Sequence, residues 1–237
     1  MTDLPKQLAA KFLVLDGPDG SGKSTQLAML ARHLTAGGAD VECVRDPGGT
    51  DVGDRIRALL LDRGSGNIGA TCEVLLFMAS RAQLVEERIR PALGAGKVVL
   101  CDRFISATIA YQGASGVPAE TILDVGRAAV GDCWPDLTIV LDLPAAAGMR
   151  RIGVPGGNRR GSDAPGGRTL PLFGDRLESR RVEYHERVRA NFLALCRPEA
   201  YPRPVVRVDA GASAETVFER VLAELGQAFG NADDEHA

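Results

Sequence analysis

Residues Gly17 to Ser24 read GPDGSGKS and fit the pattern GxxxxGK[ST]. An apolar run, Lys11 to Leu15, precedes them, and a helix-like segment from Ser24 to about Ala36 follows. A strand, a glycine turn and a helix start in that order make a phosphate cradle. Glycine lets backbone N–H groups wrap an anion without a Cβ clash. The helix N-terminus adds partial positive charge. Lys23 would reach the outer phosphates of a nucleoside triphosphate, and the Ser24 hydroxyl would ligate Mg²⁺. The nucleotide-binding candidates are therefore Gly17, Pro18, Asp19, Gly20, Ser21, Gly22, Lys23, Ser24 and Thr25. Asp19 is unusual among them, because a carboxylate repels phosphate. A hydroxyl on a second substrate would give it a task.

Further segments suggest that second substrate. RDPGGT (Arg45 to Thr50) makes a tight turn after a strand-like run, Val41 to Val44. Pro47 then sits at a strand's C-terminal end, where open α/β sheets bind ligands. Phe77 and Arg81 are four apart on a helical pattern and share a face, a flat ring beside a guanidinium. Asp102 ends the apolar run Val98 to Cys101, where a cradle protein places its Mg²⁺-associated acid. Arg103 follows it and could grip phosphate in a fork. Thr108, Tyr111 and Gln112 recur at i, i+3 and i+4, so a hydroxyl, a phenol and an amide line one face able to read a base edge. Beyond them, Arg150, Arg151, Arg159, Arg160, Arg168 and Arg176 flank or lie in a glycine-rich stretch, 153–174. A loop carrying guanidiniums could close over transferring phosphate.

The elements that must hold these groups alternate. Strands are expected at Lys11 to Leu15, Val41 to Val44, Val98 to Cys101, Leu137 to Leu141 and Val205 to Val208. Between them lie helical patterns at Asp51 to Leu61, about 70–90, 104–113, 118–130, Ala145 to Arg151 and about 176–196, with a last helix from Ala214 to Phe229. Pro91 is expected to end or kink the long one. Short apolar strands alternating with helices predict an α/β fold, a parallel sheet with helices on both faces. We read one domain over 1–237, with a mobile lid at about 150–175 and a frayed acidic tail at 230–237.

The chain has 237 residues, 45% of them apolar and 25% charged, with a formal net charge of −3. That balance argues against nucleic-acid or anionic-membrane binding by the whole chain. No run approaches the roughly 18 apolar residues of a membrane span, and the first ten residues do not read as a secretory signal. Five scattered cysteines without a CxxC fit a reducing cytoplasm and are expected to be small buried hydrophobes. Each of the three histidines is expected on a solvated face or in the tail.

Taken in order, the cradle with its internal acid, DPGGT, LLFMASRAQLVE, CDRFISATIAYQG, the strand ending in Leu141-Asp142, the arginine-bearing lid and DRLE (Asp175 to Glu178) resemble the thymidylate kinase family over nearly the whole chain. The resemblance implies transfer of the ATP γ-phosphoryl group to dTMP. Asp19 would approach the sugar 3′-hydroxyl, Arg81 and Arg103 would hold the acceptor phosphate, and Phe77 would stack on thymine. Thr108, Tyr111 and Gln112 would line the base and sugar, with Tyr111 set against a 2′-hydroxyl. Glu178 matches an acid near the phosphates and joins Ser24 and Asp102 as a metal candidate. A P-loop NTPase-like three-layer fold on a five-stranded parallel sheet and a homodimer formed through helices also follow from the resemblance. Gly20 after Asp19 matches the style in which the lid supplies the catalytic arginine, leaving Arg159, Arg160 and Arg168 as candidates beside Lys23 and Arg103. Asp46 and Asp16 stand where glutamate is common, and Ser106 where aspartate is.

Overall fold

The computed structural model describes residues 4–62, 66–153 and 182–230. Five strands form one sheet: β1 (Phe12–Asp16), β2 (Val41–Arg45), β3 (Val98–Asp102), β4 (Leu137–Asp142) and β5 (Val205–Asp209). Every pairing is parallel, in the order β2-β3-β1-β4-β5. The expected α/β architecture with five parallel strands is therefore present.

The three inner strands are buried on both faces, which is why they read as unbroken apolar runs. Their side chains alternate between two cores. Phe12, Val14, Val99, Cys101 and Val140 face one layer. It contains helices α4 (Ala70–Leu84), α6 (Ile105–Ala114), α7 (Ala119–Val130) and α9 (Val182–Leu195). Leu13, Leu15, Leu100, Ile139 and Leu141 face the other, with α2 (Lys23–Ala36) and α10 (Ala214–Phe229). Helix α3 (Asp51–Leu61) packs on α4 and is capped by Thr50, whose hydroxyl accepts from the Gly53 N–H at 2.9 Å.

All five strands end on a charged residue: Asp16, Arg45, Asp102, Asp142 and Asp209. The parallel register sets Arg45 opposite Asp102, and Asp142 opposite Asp209, so the charges collect at one edge of the sheet. The fold thus carries its chemistry at the C-terminal ends of the strands.

Some expectations shift. The long helix at about 70–90 is α4, a π turn (Val85–Ile89) and α5 (Arg90–Gly94), with Pro91 in the first turn of α5. A four-residue helix, α1 (Leu4–Gln7), precedes β1, and α8 (Ala145–Ile152) follows β4. Cys101 and Cys133 are buried as expected, whereas Cys43 and Cys72 are exposed, on an edge strand and on the outer face of α4. His33 is solvated, but His185 is buried beside Tyr184 on α9. His236 and the tail at 231–237 lie outside the described residues, as does the lid beyond Gly153.

Candidate active site

The cradle follows β1 directly, and two glycines show why it needs them. Gly17 has φ +133°, and a Cβ there would meet Leu141 O at 2.4 Å. Gly20 has φ +75°, and its Cβ would meet the Gly148 carbonyl of α8 at 2.3 Å. The loop therefore packs backbone to backbone against β4 and α8.

Lys23 starts α2 and folds back over the loop. Its Nζ donates to Gly17 O at 3.1 Å and to Pro18 O at 2.9 Å. Burial, helped by Arg103 and opposed by Asp19, Asp102 and Asp16, lowers its pKa to about 8. Ser24 Oγ donates to Asp102 Oδ2 at 3.3 Å. Asp102 Oδ1 is buried with no hydrogen-bond partner among the described residues. Two hard oxygen donors, one of them orphaned, suit a divalent cation. A cleft of about 550 Å³ opens over the loop, and Asp19, Gly20, Ser21, Gly22, Lys23, Ser24 and Thr25 all line it.

A second, much tighter slot of about 10 Å³ lies between α4 and α6. Asp46, Phe77, Arg81, Arg103, Thr108, Tyr111 and Gln112 line it. Arg81 is 1% exposed. Its Nε donates to Asp46 Oδ2 at 2.5 Å, and its Nη2 to Phe104 O at 3.1 Å and Thr108 Oγ1 at 3.0 Å. Burial pushes the Asp46 carboxyl up in pKa while Arg81 pulls it down, and the net direction is upward.

Arg103 lines both cavities. Its Nη1 donates to Gly17 O at 3.1 Å and Asp16 Oδ1 at 3.3 Å, and its Nη2 to Asp19 Oδ1 at 2.6 Å. The Tyr111 hydroxyl donates to Asp19 Oδ2 at 2.8 Å and lies 3.2 Å from Arg103 Nη2. Ser106 Oγ donates to Asp16 Oδ2 at 2.6 Å beneath them. The acid inside the cradle is thus wired into the slot.

Of the expected site residues, the fold gathers the cradle, Asp102, Phe77, Arg81, Arg103, Thr108, Tyr111 and Gln112 around these two cavities. Pro47 is buried and lines neither; its carbonyl accepts from Arg57 Nη1 at 2.9 Å. Arg159, Arg160, Arg168 and Glu178 lie outside the described residues. Sequence reasoning missed Arg57, which lies in α3, lines the cleft with Arg45 and belongs to no local motif. It also missed the hub at Asp142, which takes both Arg189 (2.7 and 3.1 Å) and Arg207 (2.9 Å). That hub ties α9 to the sheet.

The thymidylate kinase family model matches residues 15–221. The chain is 42% identical over 207 residues to thymidylate kinase of Desulfovibrio desulfuricans, covering 87% of this chain and 90% of that one. It is 43% identical over 211 residues to thymidylate kinase of Halothermothrix orenii, covering 89% and 93%. The crystal structure of thymidylate kinase from Ehrlichia chaffeensis superposes with a TM-score of 0.67 at 26% identity, covering 92% of this chain and 98% of that one. With the family model matching most of the chain and relatives above 40% identity covered over most of their length, this protein belongs to the thymidylate kinase family.

Proposed function

We propose that this chain transfers the γ-phosphoryl group of Mg-ATP to the phosphate of dTMP, giving ADP and dTDP. One observation carries the reading. Arg103 lines both the open cleft and the tight slot, and Asp19 of the cradle is hydrogen-bonded to Tyr111 of the slot. Donor and acceptor sites that share side chains suit direct in-line transfer.

In this reading the triphosphate lies in the cleft on the backbone of Gly17 to Thr25. Lys23 leaves its two carbonyl partners to neutralise phosphate charge. Ser24 and Asp102 would hold Mg²⁺, with Glu178 a further candidate. The ion, when bound, would neutralise and orient the phosphate oxygens. Arg57 and Arg45 add positive charge at the cleft. Arg81 and Arg103 grip the acceptor phosphate, while Pro47 closes the turn beside it. Phe77 faces the base plane, and Thr108, Tyr111 and Gln112 read its edge and the sugar. An acceptor oxygen attacks the γ-phosphorus as the bond to the ADP oxygen breaks. The acceptor phosphate is already ionised, so positioning and charge neutralisation carry the step without a strong base. One of Arg159, Arg160 and Arg168 would cap the transferring group from a lid at about 150–175.

We further read the chain as one domain over 1–237, acting as a homodimer in the cytoplasm without nucleic-acid or membrane partners. Val52 and Leu59 on α3 and Leu75 on α4 are exposed apolar side chains on neighbouring helices, which supports pairing through them. Among the described residues no helix is long and apolar enough to cross a membrane.

The test is ADP formation from Mg-ATP with dTMP, dUMP, UMP, dCMP, AMP, GMP or thymidine. A response centred on dTMP, with dTDP as product, is expected. Slow ATP hydrolysis that no acceptor stimulates would overturn the reading in favour of a switch ATPase.

A further inference from the structure

Glu73 lies on α4, four positions before Phe77 and eight before Arg81, so the three share one helix face. It is 1% exposed and does not line the slot. It stands behind Gln112, whose amide Nε2 donates to Glu73 Oε2 at 3.1 Å across the two helices. Arg81 and Thr108 make the matching contact at the other end, at 3.0 Å. Phe77 sits between these two polar links.

A carboxylate accepts hydrogen bonds and donates none. The face of Gln112 turned to Glu73 must then be the N–H face. The planar amide leaves its carbonyl oxygen Oε1 for a ligand in the slot. We infer that Glu73 is a positioning residue that sets base selectivity: it locks the Gln112 amide so that the slot offers an acceptor to the base edge. A pyrimidine with an N–H at ring position 3, as in thymine or uracil, pairs with that acceptor. Cytosine presents a lone pair there, sets acceptor against acceptor, and leaves both buried and unpaired. The inference rests on reading the slot as the nucleotide-acceptor site.

The pair dUMP and dCMP isolates the effect, because they differ only at ring position 3 and the neighbouring exocyclic group. Steady-state kinetics on the full chain, with Glu73→Gln, is the test. An amide at position 73 can donate or accept, so Gln112 is free to turn over. Preference for dUMP over dCMP should fall about tenfold, chiefly through KM. The ratio of dTMP to dUMP and the KM for ATP should stay as in the parent. On a Gln112→Leu background the same substitution should leave the dUMP-to-dCMP ratio unmoved. Glu73→Asp withdraws the carboxylate by one methylene and should shift the ratio the same way by less; it carries the test if Glu73→Gln does not fold. An unmoved ratio in the folded variant, the same shift without Gln112, or a parent that does not distinguish dUMP from dCMP would each overturn the lock. Calorimetric binding of dUMP and dCMP reads the same ratio without turnover. A chain that binds them and transfers no phosphate would therefore sink the proposed activity while still judging Glu73.

Discussion

The cleft over the cradle and the slot between α4 and α6 hold their charges in opposite ways. In the cleft, Lys23 rests on two backbone carbonyls, and Asp102 keeps an oxygen that is orphaned among the described residues. In the slot, charged side chains rest on one another: Arg81 on Asp46, and Arg103 on Asp16 and Asp19. A phosphate entering the cleft replaces weak neutral partners. One entering the slot must compete with buried carboxylates for the same guanidiniums. The cleft thus meets its ligand with an amine held by neutral carbonyls, the slot with guanidiniums already paired to carboxylates. The slot residues therefore carry folding as well as recognition, and the cleft residues mainly recognition.

Two substitutions would break that contrast if it were false. Lys23→Ala should lower kcat by about 10³-fold or more, since it removes charge aimed at the transferring group. Its thermal midpoint at pH 7 should stay close to that of the parent, because the variant also loses a buried cation. Arg81→Ala should cut kcat/KM for dTMP by about 10²-fold with ATP binding nearly unchanged. It should also cost about 3–5 kcal/mol of stability, because Asp46 is left buried without its partner. Kinetics with each substrate beside urea unfolding of both variants checks this. Equal loss of stability in the two, or equal loss of ATP and dTMP binding in Arg81→Ala, would erase the distinction.

The same contrast explains what the sequence disclosed. The cradle that floors the cleft comes from one contiguous stretch, because it needs glycines, a lysine and a hydroxyl at fixed spacing. That spacing is a local fact. Phe77 with Arg81, and Thr108 with Tyr111 and Gln112, were legible because each set repeats on one turn of a helix. The links between sets were not. Glu73 is paired 39 positions away, and Asp142 is paired 47 and 65 positions away. A buried glutamate in α4 looks in sequence like any solvated helix residue. Arg57 is read as a surface arginine until α3 packs it beneath the Pro47 carbonyl. The β-strands were found to within a residue or so, since inner parallel strands need continuous apolar runs. The π turn at Val85–Ile89 keeps a helical pattern in its residues and was invisible for that reason. Cys43 and Cys72 show the limit of residue type: their exposure is set by a sheet edge and a helix face rather than by the thiol.

A smaller effect sharpens the comparison further, because the two cavities use different cations. Lys23 titrates within reach of ordinary buffers, at about 8 in the fold against 10.5 when unperturbed. The unfolded chain then binds more protons at this site between those values. Its contribution to stability is therefore full above about 10.5, falls as pH drops through that window, and is lost below about 8. Ligand binding runs the other way. A triphosphate beside Nζ favours the charged amine, so binding at pH 8 should take up about half a proton, and binding at pH 6.5 almost none from this group. Above pH 8 the affinity for Mg-ATP should fall, by at most about tenfold per unit. The slot holds its anion with guanidiniums and no lysine among the described residues lines it, so dTMP affinity should show no such step between pH 8 and about 9.5. Calorimetry in buffers of different ionisation enthalpy reads the proton count directly, and Lys23→Ala should abolish the uptake. A dTMP titration with the same step as Mg-ATP would mean that Lys23 serves both cavities, as Arg103 does.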